Sequence, residues 1–165
     1  MTNHRRFATG GVLLVLPLLL VAGSAAQSKK SKYTCDEPNP QSLCNAGNTC
    51  GSPTAPCEVD VRKSGYGATA TPQITGAKAN KLFCVRPGTT VNWSSTQKNA
   101  GFVVDVSDSS PFDPGGPIIG GGSRTVTVVA KTGGCYKYSV GACISGIVSG
   151  MCGNSTGELI VTQTQ

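Results

Sequence analysis

An all-β fold, a Greek-key β-sandwich with a disulfide-rich N-terminal segment, is what this chain's residue pattern predicts. Three observations carry that expectation. From Glu58 onward, apolar residues recur at period two in short runs broken by Gly and Pro turns. No stretch in that region keeps a helical period. Before Glu58, four of the eight cysteines crowd into a segment almost free of large apolar side chains. A series of short, half-buried strands buries its apolar faces most simply as two facing sheets.

Residues 1–26 read as a secretory signal peptide. Arg5 and Arg6 form a positive n-region, Val12 to Val21 an apolar core, and Ser24-Ala25-Ala26 a small-residue cleavage site. The apolar run is shorter than the roughly 20 residues a spanning helix needs. Cleavage after Ala26 would therefore leave no transmembrane anchor.

Residues 27–57 hold Cys35, Cys44, Cys50 and Cys57 among Asn, Pro, Gly, Ser and Thr. Such a segment cannot offset its own ordering entropy by burial. Cross-links must hold it, as a loop-rich cap on the domain that follows. With Cys84, Cys135, Cys143 and Cys152 the count is even, which in an exported chain reads as disulfides whose connectivity spacing does not decide.

Residues 58–165 carry the strands. Val59 and Val61 alternate with Glu58, Asp60 and Arg62 as one half-buried strand. Leu82–Val85 leads into the Pro87-Gly88 turn, and Thr89–Trp93 follows with Val91 and Trp93 on one face. Phe102–Val106, Thr125–Ala130, Tyr136–Val140 and Glu158–Thr162 complete the set. Gly65–Gly76 reads as flexible, with Ile74 as a core contact, and Pro111–Gly122 as a long Pro/Gly loop.

Composition excludes several functions. Removing Arg5 and Arg6 lowers the formal charge from +6 to +4, and Lys29, Lys30 and Lys32 at the new terminus read either as a solvated arm or as a basic arm that touches an anionic surface such as a membrane or polysaccharide. The other cations are scattered and aromatics are few, so no nucleic-acid platform is expected. The one histidine, His4, lies in the leader. A Ser-His-Asp or Cys-His arrangement is then unavailable, acidic residues are dispersed, and the chain reads as a non-enzyme.

Three stretches together resemble the cupredoxin (plastocyanin-like, blue-copper) family. They are Phe83-Cys84-Val85-Arg86-Pro87-Gly88-Thr89-Thr90-Val91-Asn92-Trp93, Gly133-Gly134-Cys135-Tyr136-Lys137-Tyr138, and Gly150-Met151-Cys152-Gly153 followed by Gly157-Glu158-Leu159-Ile160-Val161. The resemblance implies a cupredoxin-like sandwich. It places the family's first copper histidine near Ala100 or Gly101, the thiolate near Ser139 or Val140, the second histidine at Ala142–Ile144, and the axial ligand at Met151. A type-1 site uses two imidazoles and a thiolate, and of these four positions Met151 alone appears where the family's ligand stands. The expected member is one without type-1 copper. A bridge among Cys135, Cys143 and Cys152 would then staple the loop that metal holds elsewhere.

Two metal readings compete. Cys143, Met151 and Cys152 offer sulfur to Cu(I), as a copper-handling or electron-transfer protein would, but only with reduced thiols. Asp105, Asp108 and Asp113 match no Ca²⁺ loop. Two apolar groups are candidate contact loops or inward plugs: Phe112, Pro114, Pro117, Ile118 and Ile119, and Ile144, Ile147 and Val148. Asn92-Trp93-Ser94 and Asn154-Ser155-Thr156 fit the glycosylation pattern, with Asn154 read as lying in a turn. The expectation is a secreted or periplasmic, non-catalytic module that binds a protein or surface ligand without a cofactor.

Overall fold

Short runs of alternating β-branched, aromatic and polar residues form the strands, and Gly, Pro and Asn supply many of the turns between them. The computed structural model describes residues 34–74, 82–106, 109–144 and 151–163, with backbone alone at 151–154. All belong to the larger of two compact units, Ser31–Gln165, the other being Met1–Lys30. The signal-peptide reading, the Lys29–Lys32 arm, Asp108, Ile147 and Val148 lie outside the described residues.

The described residues form β1 (Cys57–Ser64), β2 (Gly67–Pro72), β3 (Leu82–Val85), β4 (Thr90–Ser94), β5 (Ala100–Val106), β6 (Phe112–Asp113), β7 (Ile118–Gly121), β8 (Val126–Ala130), β9 (Gly134–Ile144) and β10 (Met151–Val161). One sheet has the order β2-β1-β4-β8-β6, the other β3-β10-β9-β5-β7. From β2 to β9 successive strands alternate between the sheets, so β1–β2 and β9–β10 are the hairpins. The pairs β1–β4 and β3–β10 are parallel and the rest antiparallel. Cys135 lies near the start of β9, the strand that enters the 145–150 connection.

Period-two alternation turns one face of the strands inward. Val59, Val61, Val91, Trp93 and Val128 from the first sheet meet Phe83, Val85, Phe102, Val104, Tyr138, Val140, Leu159 and Val161 from the second in one core. Trp93 is its centre: the rings of Phe83, Phe112 and Tyr138 stand edge-on to it at 6.2–6.3 Å. Each such edge-to-face contact contributes roughly 0.5–1.5 kcal/mol beyond area burial.

Two strands, β6 and β7, replace the expected Pro111–Gly122 loop. Phe112 pairs with Ala130, and Ile118 with Val104, so both side chains turn into the core. β2 likewise forms in the stretch read as flexible. Asn154 lies on β10, not in a turn.

The cysteine-rich segment caps the outer face of the second sheet. Cys35 is bonded to Cys135 and Cys44 to Cys84, while Cys50 joins Cys57 at the start of β1. Segment 48–50 runs beside β3: Cys84 N–H donates to Asn48 O and Cys50 N–H to Cys84 O, both at 2.8 Å. That edge of the sheet is thus covered. Cys35 N–H donates to Glu158 Oε1 at 3.0 Å, Lys137 pairs with Asp36 at 2.7 Å, and Gln163 N–H donates to Gln41 Oε1 at 3.0 Å. Beneath the cap Cys84 and Ile160 are buried although they face away from the core. The disulfides among the described residues suit a chain that matures in an oxidising, extracellular type of compartment. Among the described residues no helix is long and apolar enough to cross a membrane.

Candidate functional site

Strand directions bring the starts of β2, β5, β8 and β10 to one pole, together with the ends of β1, β4, β7 and β9. The resemblance puts the copper ligands there. Register aligns Ala100, Ile144 and Met151 across three adjacent strands, followed by Gly101, Cys143 and Cys152. β9 does not leave the sheet after Tyr138; it stays paired to Ile144. Val140 therefore lies opposite Val104, four residues from Ala100 along β5, or roughly 13 Å at the usual rise per residue. Ser139 points outward beside Asp105 and Thr156. Ala100, Val140 and Ala142 are core residues at most 2% exposed. Ala100, Ile144 and Met151 are thus neighbours, but the Ser139–Val140 position lies apart from them, and buried Ala100, Val140 and Ala142 offer no ligand atom.

The sulfur reading meets a covalent obstacle. Cys143 is disulfide-bonded, and no cysteine is free among the described residues, so it presents no thiolate to Cu(I). The side chains of Met151 and Cys152 lie outside what is described. The staple expected among Cys135, Cys143 and Cys152 is corrected in one member: Cys135 belongs to the cap bridge with Cys35. Asp105 and Asp113 do not converge; Asp113 pairs with Lys131 at 3.3 Å. Among the described residues no three His, Cys, Asp or Glu side chains gather as a metal site.

The candidate contact loops divide. Phe112 and Ile118 plug the core, correcting the contact reading for both, because strand alternation turns them inward. Ile119 is 65% exposed and sits opposite Val103, which is 39% exposed, on the second sheet's outer face. Ile144 is half-buried. Ile147 lies outside the described residues.

The same pole contains a polar framework that sequence reasoning missed. The Asp60 carboxylate is buried. It accepts from Arg62 Nε, from Thr96 N–H at 2.9 Å and from Thr96 Oγ1 at 3.1 Å. Gln97 clamps β1 with its amide: Nε2 donates to Lys63 O at 3.0 Å, and Lys63 N–H donates to Oε1 at 2.6 Å. Together they tie the 95–99 connection to the end of β1. Only the Asp-x-Arg spacing of Asp60 and Arg62 hinted at this; the partners lie 34–36 residues apart in sequence. Tyr66, in the β1–β2 turn, is 96% exposed.

Burial, and then the charge of Glu158, raises the pKa of Tyr138 well above the usual phenol range, which keeps it a neutral core ring. Glu158 accepts from the cap, and Asp60 is engaged by Arg62 and Thr96. No protein-family model matches the chain, and no characterised protein is significantly similar to it in sequence.

Proposed function

We propose that this chain is an exported, non-catalytic binding or structural module of the envelope or extracellular space, built on a cupredoxin-like Greek-key sandwich without a type-1 copper site. The alternation of strands between two sheets and the parallel pairs β1–β4 and β3–β10 support the architecture. One observation carries the functional reading: the positions where the resemblance places ligands include buried Ala100, Val140 and Ala142, on strands that stay paired in the sheet. A disulfide takes over the metal's role of holding the hairpin. Cys152 stands opposite Cys143 in the register, and Cys143–Cys152 is the fourth bridge of this reading.

The test is copper titration of the purified exported chain, with Cu(I) and Cu(II) added separately under non-reducing conditions. Neither ion is expected to bind stoichiometrically. Binding near one equivalent that Met151→Leu abolishes would restore a copper-handling role and end this proposal. Non-reducing peptide mapping should recover a Cys143–Cys152 peptide; a thiol at Cys143 would remove the staple from it.

A further inference from the structure

The β1–β2 turn (65–66), the β4–β5 connection (95–99) and the β7–β8 connection (122–125) all lie at the pole that Asp60 and Gln97 organise. They carry Lys98 and Arg124 and no acidic residue, and the end of β1 adds Arg62 and Lys63. Arg62 is matched by Asp60. Lys63, Lys98 and Arg124 have no carboxylate within ion-pair distance among the described residues. Away from this pole Lys131 is matched by Asp113 and Lys137 by Asp36, which leaves Arg86 as the one unmatched cation there among the described residues. Most of the unmatched positive charge described is thus placed at one pole.

Two observations make this more than a scatter of lysines. The cation-bearing backbone is fixed, because Gln97 hydrogen-bonds both backbone groups of Lys63 and Asp60 anchors Thr96, two residues before Lys98. Tyr66, the most exposed of the large apolar side chains described, stands in the same group, three residues after the clamped Lys63. The Lys63 Nζ donates to the carbonyl of Gly65, the residue before that ring.

We infer that this pole binds a linear anionic glycan, one bearing uronate, phosphate or sulfate groups. The inference rests on the binding-module reading and names its surface and partner class. Lys63 on β1, Lys98 after β4 and Arg124 before β8 belong to three neighbouring strands of one sheet, and neighbouring strands lie about 4.8 Å apart, so these cations form a row roughly 10 Å long that suits a repeating polyanion rather than one small anion. An exposed phenol ring beside them suits the apolar face of a sugar. A bilayer would call for a cluster of exposed apolar side chains, and Tyr66 stands alone on these described connections. Single-stranded nucleic acid would call for several stacking rings.

The experiment uses the full exported chain with heparin as the anionic glycan, dextran as the neutral one, and phosphatidylglycerol vesicles as the lipid. Heparin should bind and be released by salt, and dextran should not bind. Combined Lys63→Gln, Lys98→Gln and Arg124→Gln should weaken heparin binding roughly tenfold, since each exposed pair is worth a few-fold. Arg86→Gln with Lys131→Gln, at the other pole, should bind as wild type. Tyr66→Ala should weaken heparin binding while leaving the salt slope unchanged. Equal loss in both charge sets, or binding to vesicles but not to heparin, overturns the inference. Neither result touches the copper titration on which the module reading stands.

Discussion

Tyr138 has its ring in the core and its ionisation opposed by burial and by Glu158. Its folded pKa is raised above the unfolded value near 10, so the unfolded chain loses this proton first as pH rises. Stability from this group is therefore fully present below about pH 10 and declines above it, by up to roughly 1.4 kcal/mol per pH unit. Tyr136 acts in the same direction, since burial raises its pKa as well. Urea unfolding at pH 9 and pH 11 should show the decline, and Tyr138→Phe should flatten it. An unchanged slope in that variant would place the alkaline sensitivity elsewhere.

At the scale of the strand, large side chains are matched to glycine across the ladder. Tyr138 lies opposite Gly157, and Phe102 opposite Gly120. A Cβ at Gly157 would fall inside contact distance of Tyr138 Cζ and Oη, and the buried ring has little room to yield. Gly157→Ala should therefore destabilise by roughly 1–3 kcal/mol, the usual range for overpacking; denaturant midpoints measure it. Such pairs also explain what could be read in advance. Val59, Val61, Val91 and Trp93 alternate clearly and were legible as strands. Phe112 and Ile118 sit among Pro and Gly, where composition signals a loop, and only pairing with Ala130 and Val104 makes them core. Asp60, Thr96 and Gln97 meet through tertiary contacts that no local pattern encodes.

The whole of the described unit is a two-sheet core with a cap stitched to one outer face, and the disulfides divide the same way. Cys50 and Cys57 belong to the core cluster, whereas Cys35–Cys135 ties the 3-10 turn Thr34–Asp36 to the outside of β9 across a separation of 100 residues. Closing so long a loop stabilises by up to about 4–5 kcal/mol in the chain-entropy model, and typical values are nearer ~2–4 kcal/mol. Cys35→Ser with Cys135→Ser should cost about that much yet spare the fold, because the core lies on the other face of the sheet. Hydrogen exchange should then show lost protection at the backbone amide of position 35 and at Glu37, Ser42 and Gln163, whose amides bond within or to the cap, while the β9–β10 ladder keeps its own. Loss of protection along that ladder would instead make the cap part of the cooperative core.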